Sequence, residues 1–232
     1  MGVLVVIATA RGPSGVAAIA AAVGGGLWAV TYQGALMGRF DDARWVTHSE
    51  TTLEIGIARE IAELAAELGL AASWHTGLSW YTTALTDEFV LESRIVNDSP
   101  ILIDDHRRLS SSPHKLMLIS PLDETWKLTE LTERLPPSVS YAYSHQNYLE
   151  VTPLGIDKGT ALKDLLTRTR GRTADLIAFG DGENDLSMFE IAEYSVAMMH
   201  APASVRLAAT GVATGGLVAV LHKIRWQPFK PG

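Results

Sequence analysis

The chain has 232 residues, 47% of them hydrophobic and 19% charged, a balance that excludes an intrinsically disordered protein. Lys and Arg total 19 against 26 Asp and Glu, so the net charge is −7 and the basic footprint of a general nucleic-acid binder is missing. With no cysteine, disulfides, thiolate metal sites and cysteine nucleophiles are excluded, and the chain suits the cytoplasm. Small anionic ligands stay open, because a local cluster of cations and N–H groups can outweigh the global sign.

Residues 3–8 (VLVVIA) are apolar and β-branched, which predicts a strand buried on both faces of a parallel sheet. The apolar run 3–10 lacks a preceding basic residue, so no signal peptide is expected. Residues 12–38 carry no charge, but Gly24-Gly25-Gly26 interrupts them, so no membrane span is expected either. Residues 14–23 read instead as an Ala-rich helix stopped at Gly24, and residues 27–31 as a second buried strand. Strand, helix, strand makes a βαβ unit.

From about Met37 the pattern changes. Thr51 and Glu54 have capping-box spacing, and Leu53, Ile57, Ile61, Leu64 and Leu68 follow at intervals of three and four, up to Gly69. Short strands are expected at 78–84 and 115–120, a helix at 124–134, and a hairpin of 139–144 with 148–152. This block reads as α+β. The βα alternation then returns, with helices at 158–167, 184–192 and 216–222 and strands at 175–180 and 195–198.

Three loops could carry chemistry. Gly180-Asp181-Gly182-Glu183-Asn184-Asp185 follows a buried strand and opens a helix, where ligands of open α/β sheets bind. Asp181 and Asp185 are four apart and can face one hard cation such as Mg²⁺, or can simply form a turn and a helix cap. In Gly155-Ile156-Asp157-Lys158-Gly159 the lysine stands in a first helical turn, against the dipole, a penalty that a bound anion would remove; a solvated surface lysine is the alternative. In Ala8-Thr9-Ala10-Arg11 a hydroxyl, backbone N–H groups and a guanidinium could cradle a phosphate, or form an ordinary loop. His75, His114, His145 and His200 lack metal-ligand spacing, Asp104-Asp105-His106 reads as a solvated turn, and the tryptophans read as packing or pocket wall. No Gly-x-Ser-x-Gly elbow, Walker loop or dinucleotide fingerprint is present.

Taken in order, these segments resemble the haloacid dehalogenase superfamily, in its Cof-type phosphatase branch. VVIATAR with TYQGA is similar to that family's second motif region, NYLEVTPLGIDKGTAL to the third and DLIAFGDGENDLSMFEIAEYSVAM to the fourth, while KLMLIS resembles a strand of the cap. The resemblance implies a Rossmann-like three-layer α/β/α core (residues 1–37 and 149–232) with an inserted α+β cap (38–148). It implies Mg²⁺ as cofactor and a small phosphorylated metabolite as substrate, a sugar phosphate by default. Thr9 would bind the phosphoryl group with Ala10 and Arg11 beside it. Lys158 would neutralise charge, Asp181 would hold the metal, and Asn184 and Asp185 would complete or support that site.

Three departures stand out. Gln33 replaces the family's usual Asn, and Met199-His200 replaces a common Gly-Asn. The first motif, Asp-x-Asp-Gly-Thr, has no counterpart in these 232 residues, so the covalent nucleophile and the acid/base implied by the family are missing from them. The expectation is therefore a phosphatase whose sequence as given starts late, with a non-catalytic binding or regulatory relative, or a partner-dependent subunit, as the alternative. An apolar strand without its family neighbour also predicts association, for example as a homodimer. No nucleic-acid or membrane partner is expected.

Overall fold

A computed structural model describes residues 3–24 and 26–222, and the chain divides into two compact units: Ile7–Ile156, and Met1–Val6 with Asp157–Gly232.

The larger unit holds two sheets. The first has the order β1 (Val6–Ala8), β2 (Leu27–Thr31), β3 (Leu36–Asp41) and β4 (Arg44–Glu50), with α1 (Ser14–Val23) between the first two strands. α1 and β2 have the predicted bounds. Gly24 stops the helix at φ 86°, a left-handed conformation that glycine adopts without strain. Gly25 of the predicted glycine turn lies outside the described residues. β1 departs from expectation: only three residues are extended, none is fully buried, and Val3 and Val5 are exposed. Among the described residues it is the end strand of its sheet, beside β2, and is not covered like a central strand.

The next helix, α2 (Ile55–Glu67), starts later than the Thr51 box implied. Glu54 itself is the cap, its carboxylate accepting from Gly56 and Ile57 N–H at 2.9 Å each. The remaining elements of the unit are β5 (Ala72–Thr76), β6 (Ser79–Thr82), α3 (Asp87–Val96), β7 (Ile101–Leu102), β8 (Lys115–Ile119), α4 (Trp126–Glu133), β9 (Val139–His145) and β10 (Tyr148–Pro153). Their strands form a sheet ordered β7-β6-β5-β8-β10-β9, antiparallel except for β6 with β7. Ile61 and Ala65 of α2, Leu128 and Leu131 of α4, and Trp74, Leu116, Leu118 and Leu149 of the strands make its core. At roughly 1.5–3 kcal/mol per buried large side chain, that cluster is what fixes the sheet.

The smaller unit alternates as the sequence implied: α5 (Lys158–Thr169), β11 (Ile177–Gly180), α6 (Leu186–Ile191), β12 (Tyr194–Met198), α7 (Ala203–Ala208), β13 (Gly211–Ala213) and α8 (Gly216–Leu221). β11, β12 and β13 form a parallel sheet with Val196 and Ala197 buried at its centre. The helix expected at 184–192 is divided, because Glu183–Asp185 takes a tighter 3₁₀ turn before α6. Among the described residues no helix is long and apolar enough to cross a membrane.

Candidate functional site

In the smaller unit the two predicted loops join. Lys158 and Asp185, 27 residues apart, are both buried, and Lys158 Nζ donates to Asp185 Oδ1 at 2.7 Å. Asp185 Oδ2 accepts from Asp181 N at 2.9 Å and from Gly182 N at 3.0 Å. One carboxylate therefore balances the lysine and shapes the acidic loop. The charge of Lys158 in the first turn of α5 is met by Asp185, so its cost against the helix dipole is answered within the protein. Asp157 caps the same helix through Thr160 N at 2.7 Å.

Glycine is required on both sides of this contact. A Cβ on Gly180 would lie 2.5 Å from Asp185 Cβ and Oδ2, and one on Gly159 would lie 2.2 Å from the Ser187 carbonyl oxygen. Gly159 N also donates to Ser187 Oγ at 3.1 Å, tying α5 to α6. Asn184 lies over Gly182, its Oδ1 2.7 Å from where a Cβ there would stand.

Asp181 differs from Asp185. It is exposed at the carboxyl end of β11, with Oδ2 3.0 Å from His200 Nε2. Among the described residues no three His, Asp or Glu side chains converge as a metal cage. An exposed carboxylate beside a loop of oxygen donors nonetheless fits Mg²⁺, which keeps several waters and takes only one or two carboxylates from a protein.

In the larger unit, Thr9, Ala10 and Arg11 leave β1 as a tied loop. Thr9 Oγ1 accepts from Arg11 N at 3.1 Å, Thr9 N donates to Val30 O at 2.8 Å, and Arg11 O accepts from Tyr32 N at 3.0 Å. Ala10 O accepts from Lys115 Nζ at 2.9 Å. Lys115 is buried, as is Glu150, whose Oε2 is 3.4 Å from Nζ and accepts from Gln33 Nε2 at 3.2 Å. Gln33 is thus part of a buried polar set, with its backbone in the left-handed region at φ 61°. A short polar side chain such as Asn adopts that conformation more readily.

A cavity of about 480 Å³ opens beside this loop, lined by Arg11, Trp80, Glu92, Lys115, Tyr148 and Glu150 among others. His75, Asn147 and His145 also reach it, so the tryptophan and histidines there are pocket wall. Burial raises the Glu92 carboxyl above its usual range, with Glu150 adding to the shift. Burial likewise pushes the Tyr148 phenol up to about 12, helped by Glu92. His75 is held well below 6.5, first by burial and then by the Lys115 charge. Sequence reading did not find Lys115, Glu150 or Glu92. The first two did leave a signal, a lysine opening the apolar run KLMLI and a glutamate inside YLEVTP. The Asp104-Asp105-His106 turn is as expected for its acids, which pair with Arg108 and Arg107, but His106 is buried against Trp74.

The model of the haloacid dehalogenase-like hydrolases matches residues 1–215. The chain belongs to that family. A Haemophilus influenzae relative is 30% identical over 158 residues, covering 66% of this chain and 60% of its own. An HMP-PP phosphatase of Serratia proteamaculans is 32% identical over 151 residues, 60% of this chain and 54% of its own. The matches to these curated relatives thus span 54% to 60% of the relatives' lengths. A haloacid dehalogenase-like hydrolase from Bacteroides thetaiotaomicron shares the fold at TM-score 0.83 and 23% identity, over 94% of this chain and 85% of that one. A Thermotoga maritima protein does so at TM-score 0.82 and 26% identity, over 96% and 85%. The mixed α/β architecture with an α+β cap is that of this hydrolase family.

Proposed function

We propose that this chain carries the phosphate-handling and metal-handling groups of a phosphatase for a small phosphorylated metabolite. The observation that carries the reading is the buried Lys158–Asp185 pair behind the Asp181 loop, in a member of this hydrolase family. In this reading residues 1–37 and 149–232 serve as core and 38–148 as cap. Thr9, the Ala10 backbone and Arg11 bind phosphoryl oxygens by hydrogen bonds and charge. Lys158, oriented by Asp185, neutralises charge on the transferring group. Asp181 holds Mg²⁺, with Asn184 and Asp185 supporting the loop; when bound, the ion supplies Lewis-acid stabilisation of phosphoryl oxygens. His200, beside Asp181, orients that carboxylate. The protein works in the cytoplasm and associates through β1 as a homodimer.

These groups bind, orient and neutralise, and none of them is a covalent nucleophile. We expect the 232-residue chain to bind Mg²⁺ and phosphate weakly and to release phosphate negligibly. Loss of the group that forms a covalent intermediate typically removes several orders of magnitude, because positioning and electrostatics remain alone. The chain joined to an Asp-x-Asp-Gly-Thr strand should turn over in the presence of Mg²⁺, and Asp181→Ala or Lys158→Ala should abolish most of that. The assay is phosphate release from p-nitrophenyl phosphate and a sugar-phosphate panel, with and without Mg²⁺. Robust metal-dependent turnover by the 232-residue chain would overturn the assignment of roles.

A further inference from the structure

The loop after β1 is gripped by its carbonyl groups. Thr9 O accepts from Gln33 N at 3.1 Å, Ala10 O from Lys115 Nζ at 2.9 Å and Arg11 O from Tyr32 N at 3.0 Å. Tyr32 and Gln33 donate from one left-handed turn, at φ 49° and 61°, so the outer carbonyls are held by main chain of the same sheet region. The middle carbonyl is held differently. Its donor is a side chain of β8, in the other sheet, 105 positions away.

A trans peptide is planar, with its C=O and N–H on opposite sides. Turning Ala10 O toward Lys115 therefore turns the Arg11 N–H the other way, and it donates to Thr9 Oγ1 at 3.1 Å on the exposed side of the loop. The loop thus keeps its acceptors inside and a donor outside, the polarity by which backbone N–H groups bind anions. Reversal of peptide 10–11 would set a carbonyl oxygen against a phosphate oxygen, acceptor facing acceptor. Lys115 is placed to prevent this. It is buried, Glu150 Oε2 balances it at 3.4 Å, and its Nζ lies 5.9 Å from the centre of the Tyr32 ring. A charge-assisted bond to Ala10 O is about twice as strong as the neutral bonds on either side of it.

We propose that Lys115 is a positioning residue that locks the orientation of peptide 10–11, keeping an N–H and not a carbonyl on the exposed side of the loop. The lock follows from the geometry, and its use rests on the reading of this loop as the phosphate site.

The test uses the 232-residue chain and inorganic phosphate. Lys115→Met with Glu150→Gln removes both buried charges together, so local net charge is unchanged and no buried carboxylate is left alone. We expect this double variant to bind phosphate about tenfold more weakly, the factor of one charge-assisted hydrogen bond. Its Arg11 amide should shift in ¹⁵N spectra and lose protection from exchange. Glu150→Gln alone keeps the Ala10 bond and should bind phosphate at least as tightly as the parent. The parent itself should show an NMR coupling through the hydrogen bond, from Lys115 Nζ to the Ala10 carbonyl carbon. The proposal is overturned if that coupling is missing, or if Glu150→Gln alone is as weak as the double variant. It is also overturned if the double variant, folded by its near-UV circular dichroism, keeps the Arg11 signal in place or binds phosphate within about twofold of the parent. A parent that takes no phosphate, while the coupling is present and the Arg11 signal moves in the double variant, upholds the lock and sinks the phosphate reading.

Discussion

Replacing Asp185 by Ala tests whether the acidic loop and the α5 lysine form one structure. Both side chains are nearly inaccessible, 6% for Lys158 and 7% for Asp185, so the substitution leaves an ammonium group in a dry site with no counter-charge. Removing one partner of a buried pair typically costs about 3–5 kcal/mol. Asp181 N and Gly182 N lose their acceptor as well, but water reaches that loop, so they add about 1 kcal/mol at most. The expected loss of about 4 kcal/mol is close to a thousandfold in the unfolding equilibrium. It is also a large share of the roughly 5–15 kcal/mol that holds a typical domain. Urea denaturation followed by far-UV circular dichroism reads the total. Hydrogen exchange across 177–191 reads whether the damage falls on β11 and α6. The double variant Lys158→Met with Asp185→Asn removes both charges at similar volume and keeps an acceptor oxygen for Asp181 N and Gly182 N, and should recover most of the loss. The reasoning fails if Asp185→Ala stays within about 1 kcal/mol of the parent, or if the double variant is as damaged as the single one.

Gly180→Ala places a methyl group against Asp185 and should cost about 1–3 kcal/mol, visible as a lowered urea midpoint; an unchanged midpoint refutes the close approach. Acid should destabilise the chain. His75, His106 and His114 are each held below 6.5, in each case first by burial, so the unfolded chain binds more protons and stability falls as pH drops below about 6.5. Each histidine still neutral in the fold contributes about 1.4 kcal/mol of loss per pH unit, and a melting temperature flat from pH 7 to 5 would contradict this. The raised Glu92 carboxyl works the opposite way: ionising it disfavours the fold as pH rises past its unfolded value, so Glu92→Gln should flatten that part of the profile in denaturation curves. Light scattering should find the proposed dimer, and a monodisperse monomer would reject it.

The sequence was most legible where local chemistry and burial agree. The Ala-rich α1 with Gly24 behind it, and the apolar β2, need no knowledge of distant residues. β4 was invisible because RWVTHSE is largely exposed and lacks a clean alternation. α2 was placed early because Thr51 mimics a cap that Glu54 provides. At the site, motif spacing located Lys158, Asp181 and Asp185 but not their division of labour. That Asp185 is buried and committed to Lys158 while Asp181 stays exposed follows from how α5 packs on α6, information carried by Gly159 and Ser187 jointly. The cavity set was illegible for the same reason, since Lys115 meets Ala10 across 105 positions of chain.

That last contact has an uneven heritability. Its acceptor is a main-chain carbonyl, which every residue type at position 10 would supply, so drift there leaves the bond in place. Its donor is one side chain, and at position 115 any replacement without a long cationic arm deletes it together with the counter-charge of Glu150. Selection acting on the loop after β1 would therefore be recorded not in the loop but in the first residue of a strand in another sheet.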